Sequence, residues 1–548
     1  MPMYVYEARE PARGCAHCAQ GFEVMQSIHD PKLTACPVCG AAVYRVIQAP
    51  GLGHSETDLH YRAKRAGFKC LKKVTKGEYE PLYWGDCVGK VKTVCGVVAL
   101  LAGGILGGAV RAGVDPASLE FARLASRRFM LDNELTLCEY APKTAVAADV
   151  QYPVLTNGLT VVGGYWPAAH YRLRVERLPA ELAFATKDGA VALRFPVRGK
   201  DLPPPPFDFS VLMTGGHRPA AFVTKDGATR LVETGAIPEG VNPRLQAHLQ
   251  DWKFCVGGGV SAARASLSVG IGQADVRFVT TGRDNALYWE GDRVFFTFSA
   301  RGYGAYQAVA SFNPSLFDVR LEGVVLFDYG DGELRNDLAS HLFYDDVDGF
   351  WKGYASNFST GTDVLGARRE GGVNAVWSER NPLHGLSVMR AKSLELKGMN
   401  EDPCVTWDEE AKRWSLLVSE FTPKGIRASL LQSRAWDGPF VNVAGPVARD
   451  ATGTTITRIG GVRYCLAGSA DRACYVYSYP DLKMRGRLKF DFPPWSAGCP
   501  NGRVWPCVAE LPDGFPFRYL MLSMDRANFP GMPKPNWTYG GLVLYGAN

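Results

Sequence analysis

The sequence predicts a mainly β chain: a five-bladed β-propeller in the C-terminal half, a β-sandwich accessory domain before it, and a small cysteine-rich module at the N-terminus. Three observations carry this. An apolar, aromatic-rich unit recurs over 275–548 with the period of roughly 50–60 residues that marks stacked blades. Alternating strands flank Asp-Gly pairs over 135–270. Two Cys-x-x-Cys pairs sit close to the N-terminus. Composition agrees, because 548 residues with 46% apolar and 21% charged side chains can bury several cores, which excludes global disorder. Sixty Gly and 35 Pro suit short strands and tight turns. A net charge of +6 is too mild to argue for nucleic acid, and none is expected as a partner.

The N-terminus carries Glu7, Arg9, Glu10 and Arg13, so no cleavable secretory signal is expected, leaving a cytoplasmic or membrane-anchored chain. Cys15-Ala-His-Cys18 and Cys36-Pro-Val-Cys39 are two knuckles joined by a short intervening segment. Two such knuckles present four thiolates as a tetrahedron, the preference of a closed structural Zn²⁺ site, although two disulfides are the alternative. So short a module buries little core, so the metal would supply folding energy. Residues 1–6 (Met-Pro-Met-Tyr-Val-Tyr), Gly21–Ser27, Cys36–Gly40 and Tyr44–Pro50 resemble the FmdB-type zinc ribbon of bacteria. That family places its first Cys directly after the opening Tyr-x-Tyr, whereas here Glu7–Gly14 intervenes. The resemblance implies a binding or regulatory module over 1–50, with Cys15, Cys18, Cys36 and Cys39 as zinc ligands and no chemistry of its own.

Residues 51–134 read as a linker. Within it, 94–110 is a charge-free run whose length is at the lower edge of a transmembrane helix, with Gly103-x-x-x-Gly107 suited to close helix pairing. The two readings are membrane insertion and burial against protein. Asp115-Pro-Ala-Ser118 should open a short helix. Over 135–270, Glu181–Phe195 and Ala221–Val232 each alternate around an Asp-Gly, at 188–189 and 226–227. Asp-Gly supplies the positive φ of a type I′ hairpin, which gives the sandwich. Cys465 and Cys474 flank a turn and could bridge in an oxidising compartment.

Five repeat units end near Ser299, Ser356, Ser419, Ser469 and Ser523. A propeller gathers the starts of its innermost strands around one funnel. Asp284, Asp337 and Glu401 precede the first three of these serines by comparable intervals, so they are expected to converge. Two carboxylates flanking a sugar can cleave a glycosidic bond, and a third can raise the acid's pKa by repulsion. Arg283, Asn285, His341, Trp351, Arg503 and Trp505 are expected to line the funnel and bind substrate. No cofactor is expected for catalysis.

The three-blade acidic pattern resembles the five-bladed glycoside hydrolases of families 43 and 32. The resemblance implies Asp284 as base or nucleophile and Asp337 as the carboxylate tuning the acid. Glu401, followed by Asp402-Pro403 where those families show Glu-x-Pro, is implied as general acid. Ser433–Phe440 and Asn536–Tyr545 are also similar to family 43 segments. Blade one has Asp-Asn in place of Asp-Pro, and no His is assigned as the central one that often holds a metal or water there. The reading is a hydrolase acting on poly- or oligosaccharide, a homo-oligomer being compatible with it. The rival is a propeller that binds glycan or protein without turnover.

Overall fold

The computed structural model describes residues 3–19, 21–25, 31–46, 71–75, 78–81, 114–141, 152–214, 218–235, 237–358, 372–492, 503–532 and 538–548. The chain divides into two compact units, 1–107 and 108–548. The expected apolar segment 94–110 lies outside the described residues, among which no helix is long and apolar enough to cross a membrane.

In the first unit, Met3–Ala8 is the centre of a three-stranded antiparallel sheet between Phe22–Met25 and Val43–Val46. Tyr6, Ala8, Phe22 and Val43 pack with Cys18 and Cys36 in its small core. A separate hairpin pairs Leu71–Thr75 with Glu78–Pro81.

The second unit contains five four-stranded antiparallel meanders among the described residues. Their first strands are Gly272–Phe278, Leu338–Asp345, Asn400–Asp408, Thr452–Ile459 and Cys507–Glu510, each adjacent to the next, with the fifth returning to the first. These inner strands are dominated by buried residues, as expected of strands enclosed on both faces. Blades one and two also join at their rims, where Gly323–Asp328 pairs in parallel with Gly385–Arg390. The backbones meet so closely that a Cβ on Gly323 would lie 2.6 Å from the Gly385 carbonyl.

Blade five corrects the expected linker over 51–134. Its outermost strand is Glu120–Arg127, paired antiparallel with Leu542–Ala547, so residues upstream of the sandwich close the ring. Phe121 joins Val543 and Tyr545 in that blade's core, which fixes the strand there. The helix expected at Asp115 is a single 3-10 turn, Pro116–Ser118, with the Asp115 carboxylate accepting from the Ala117 N–H at 3.0 Å. Cys465 and Cys474 are both free and buried. They sit out of register, Cys465 opposite Tyr477 and Cys474 opposite Gly468, so they do not face one another.

The accessory domain is one eight-stranded sheet folded into two layers. Its long strands, His170–Ala185 and Lys253–Leu267, pair along most of their length and pass from one layer into the other. The crossing is set by Gly257-Gly-Gly259. Gly258 has φ +75°, and a Cβ there would lie 2.1 Å from the Pro179 carbonyl, so only glycine fits. Tyr171, Phe184, Phe207, Phe209 and Phe254 fill the space between the layers. Lys225 and Ala228 pair across a turn in which Asp226 and Gly227 both have positive φ, the expected I′ geometry. Leu212, Phe222 and Leu267 instead face the propeller and join its core.

Candidate functional sites

The ribbon builds a four-thiol cluster. The first knuckle closes on Ala19 N–H to Cys15 carbonyl (2.9 Å), the second on Gly40 N–H to Cys36 carbonyl (2.9 Å), with Gly40 at φ +75°. All four Sγ atoms lie within 4.8 Å of one another, with Cys15–Cys18 at 3.8 Å and Cys18–Cys39 at 3.6 Å. A tetrahedron of sulfurs about 2.3 Å from zinc has edges of about 3.8 Å, so the set fits a structural Zn²⁺. His17 is outside the cluster and stacks on Phe22 at 4.5 Å.

In the propeller, the inner strands of blades one to four each break their ladder at one matched place. The residue there is left-handed in every case: Asp275 (φ 56°), Ala339 (φ 51°), Asp402 (φ 56°) and Gly453 (φ 61°). Each is a β-bulge, a device that re-aims side chains, and three are strained non-glycine residues, which cluster at functional positions. The closing serines support the alignment: Ser299, Ser356 and Ser419 lie opposite Ala274, Leu338 and Glu401.

The bulges place acids from different blades together. Asp275 is buried and ion-paired with Arg301 at 2.6 Å, and the Arg301 guanidinium stacks over Tyr539. The Asp402 carboxylate accepts from Thr452 Oγ1 (2.7 Å), Gly453 N–H (2.9 Å) and Ser419 Oγ (3.3 Å). Burial, and then the negative charge of Asp275, raise the Asp402 pKa against those donors. Asp337, fully buried, accepts from Asn374 Nδ2 at 2.9 Å. Glu401 is half-buried. Arg503 holds Asp450 through two bonds of 2.7 and 2.8 Å, and those bonds raise its pKa, as do the charges of Glu401 and Asp402. Asp275, Glu401 and Asp402 therefore lie together where the inner strands of blades one and three begin, and Asp337 precedes the blade-two inner strand at the matched level.

Asp284 is not among them. It is exposed in the turn after Thr280–Thr281, which pairs in parallel with Phe343–Tyr344, and Arg283 accepts from the Trp407 N–H. That is the far end of the inner strands, roughly 20 Å from the level of Leu338 at ~3.3 Å per residue. The reason is an excursion, Thr280–Glu290, inserted between the first and second strands of blade one. Leu338 to Ser356 and Glu401 to Ser419 are equal intervals along the chain, but Ala274 to Ser299 is longer. Counting a comparable interval back from Ser299 thus falls inside the excursion, where Asp284 lies, and misses Asp275. The missed signal was Gln273-Ala-Asp-Val276, just before that excursion.

Other expected substrate contacts also move. Arg283 goes with Asp284 to the far end, bound to Asp345 (3.0 and 3.2 Å) between Trp407 and Trp414. Asn285 donates to the Ile456 carbonyl at 3.3 Å. Trp351 is core, packed edge-on to Tyr288 between blades one and two. Trp505 is buried against Gly453, its indole N–H given to the Val276 carbonyl. His341 lines the central channel after all, but Nδ1 accepts the Val405 N–H (3.1 Å) and Nε2 bonds Thr280 Oγ1 (3.1 Å). Both nitrogens are engaged, and burial and then Arg277 push its pKa far down, so it is neutral. Arg503 lies within electrostatic reach of Glu401.

Residues 1–47 match the family model of a zinc ribbon domain. No curated protein matches the chain. Among solved structures, it is similar over 50% of its length to the catalytic domain of a family 62 α-L-arabinofuranosidase of Coprinopsis cinerea (12% identity, TM-score 0.34, 91% of that chain). A family 117 glycoside hydrolase of Zobellia galactanivorans (11%, 0.36, 84%) and a GH43_1 enzyme of Xanthomonas citri (12%, 0.33, 88%) are similar over the same share.

Proposed function

We propose that the strand-start end of the propeller channel hydrolyses a glycosidic bond in an oligo- or polysaccharide. The observation that carries the reading is the acid cluster itself: Asp275 and Asp402 at matched strained bulges, electrostatically linked, with Glu401 and Asp337 beside them. Unequal environments within one group of carboxylates are how a fold separates acid from base. Glu401, still partly open to solvent, serves as proton donor to the leaving oxygen. Asp275 replaces Asp284 as base or nucleophile, its charge held by Arg301. Asp402 and Asp337, locked by internal donors, set the field and do not touch substrate. In the ribbon, Cys15, Cys18, Cys36 and Cys39 hold one structural Zn²⁺.

A screen against aryl glycosides and plant and microbial polysaccharides tests the reading. Glu401→Gln should cost about 10²–10⁴-fold on poor leaving groups and far less on activated aryl glycosides, which need little protonation. Equal retention of turnover on both classes would refute the role. One observation favours the rival, binding without turnover: the Asp275 and Asp402 carboxylates are both engaged by internal partners. Glycan binding by a chain inert across the whole panel would decide for it.

A further inference from the structure

Two residues beyond each bulge, the inner strands bring a second ring together. Arg277, His341, Cys404, Thr455 and Cys507 lie at this level and, with Arg458, line a cavity of about 180 Å³ in the channel. Arg277 is 2% exposed. Its Nη1 donates to Thr455 Oγ1 (3.2 Å) and Nη2 reaches the Asp402 carbonyl (3.5 Å), while Nε finds no acceptor. The Arg458 Nε is likewise buried without an acceptor. Among the described residues, neither arginine has a carboxylate within ion-pair distance.

Nothing else in the ring is charged. His341 is neutral, and burial pushes the Cys404 thiol up and the Cys507 thiol up to about 12. The Asp402 carboxylate is hydrogen-bonded to Thr452 and Gly453; its charge reaches Arg277 only across space, and its carbonyl accepts from Arg277. Asp275 is bound to Arg301, and Glu510, on the cavity wall, is bound to Arg518. Asp284 is exposed at the mouth. A buried cation without a direct ion-pair partner is expensive, which makes the cavity a host for negative charge. Thr280 adds a donor: His341 Nδ1 accepts a backbone N–H, so Nε2 carries the ring proton and gives it to Thr280 Oγ1, freeing that hydroxyl's own proton.

We propose that this cavity binds a small inorganic anion of the halide class against Arg277 and Arg458. The site lies one level along the channel from the acid cluster, which Arg277 touches through the Asp402 carbonyl, and it needs no substrate. Crystals of the full chain grown in bromide should show an anomalous peak within hydrogen-bond distance of Arg277. In solution, replacing gluconate by chloride at constant ionic strength should raise Tm by about 2 °C or more. Arg277→Gln should remove the chloride-specific rise; if that variant does not fold, Arg458→Gln should reduce it. A cavity free of bromide, or bromide confined to the surface, would overturn the proposal whatever the melting curves show.

Discussion

Asp275→Asn and Asp284→Asn form the sharpest pair of perturbations. Asp275 lies 2.6 Å from Arg301, with only 9% and 10% of the two side chains exposed. Removing one partner of such a pair leaves a buried charge and costs about 3–5 kcal/mol, of which the Asn carbonyl recovers a part. At about 2–4 °C per kcal/mol, Tm should fall by roughly 10 °C. Asp284 is exposed and accepts from the Ala286 N–H at 3.4 Å, a contact Asn keeps, so its loss should stay within about 0.5 kcal/mol. Turnover should follow the same division on a glycoside that the wild type cleaves: at least about 10²-fold down for Asp275→Asn, unchanged for Asp284→Asn. Asp275→Asn with Arg301→Gln separates chemistry from folding, because it removes the charge that Asp275 pairs. The double variant should regain most of the lost Tm while staying inactive. Recovery of both would make Asp275 a structural residue, and loss of turnover in Asp284→Asn alone would refute the placement altogether.

Two further outcomes follow from particular contacts. Cys15→Ser with Cys36→Ser should lose one equivalent of zinc by metal analysis; undiminished zinc would refute the four-thiolate assignment. His384 bonds Glu322 and Glu290, and these carboxylates raise its pKa to about 9, Glu322 most and partial burial opposing. A folded pKa above the unfolded value of about 6.5 means the stabilisation is whole below that pH and is lost as pH rises through about 9. With the ring 45% exposed, the effect is about 1 kcal/mol after solvent screening; denaturant titrations at pH 6 and 10 should show it in the wild type and not in His384→Gln.

The fold was legible where local chemistry decides it. Paired Cys-x-x-Cys spacing, Asp226-Gly227 between alternating strands, and the closing serines of the first three blades report short-range geometry, and the structure places each in that role. What the sequence hid is long-range. Glu120–Arg127 is an ordinary strand whose partner, Leu542–Ala547, lies at the other end of the second unit, with a whole accessory domain between them. The role of Gly257-Gly-Gly259, letting two long strands cross, depends on the partner backbone at Pro179, which lies far off in the chain.

The acid cluster failed and succeeded for the same reason. Register within a blade was readable from the serines, since Ser356 faces Leu338 and Ser419 faces Glu401 across the same interval of chain. Asp337 and Glu401 therefore fall together at one end of the channel. Blade one carries a longer stretch between the same two structural points, and a repeat read by counting cannot distinguish a longer loop from a shifted strand. Composition could have corrected it: Thr280–Glu290 holds Gly282, Arg283, Asp284 and Asn285, a run rich in turn formers that rarely sit in an inner strand. Gln273–Phe278, by contrast, is short, apolar at alternate positions and interrupted by one acid. The bulge then gives that acid its meaning. At Asp275 and Asp402 the chain accepts a left-handed residue twice, in two blades, and spends both on a carboxylate at the same end of the channel, while Ala339 and Gly453 take the matched places without one. Of those two strained acids, Asp402 is locked by internal donors and sets the field, which leaves Asp275, not Asp284, as the carboxylate opposite Glu401 on which the enzyme reading stands or falls.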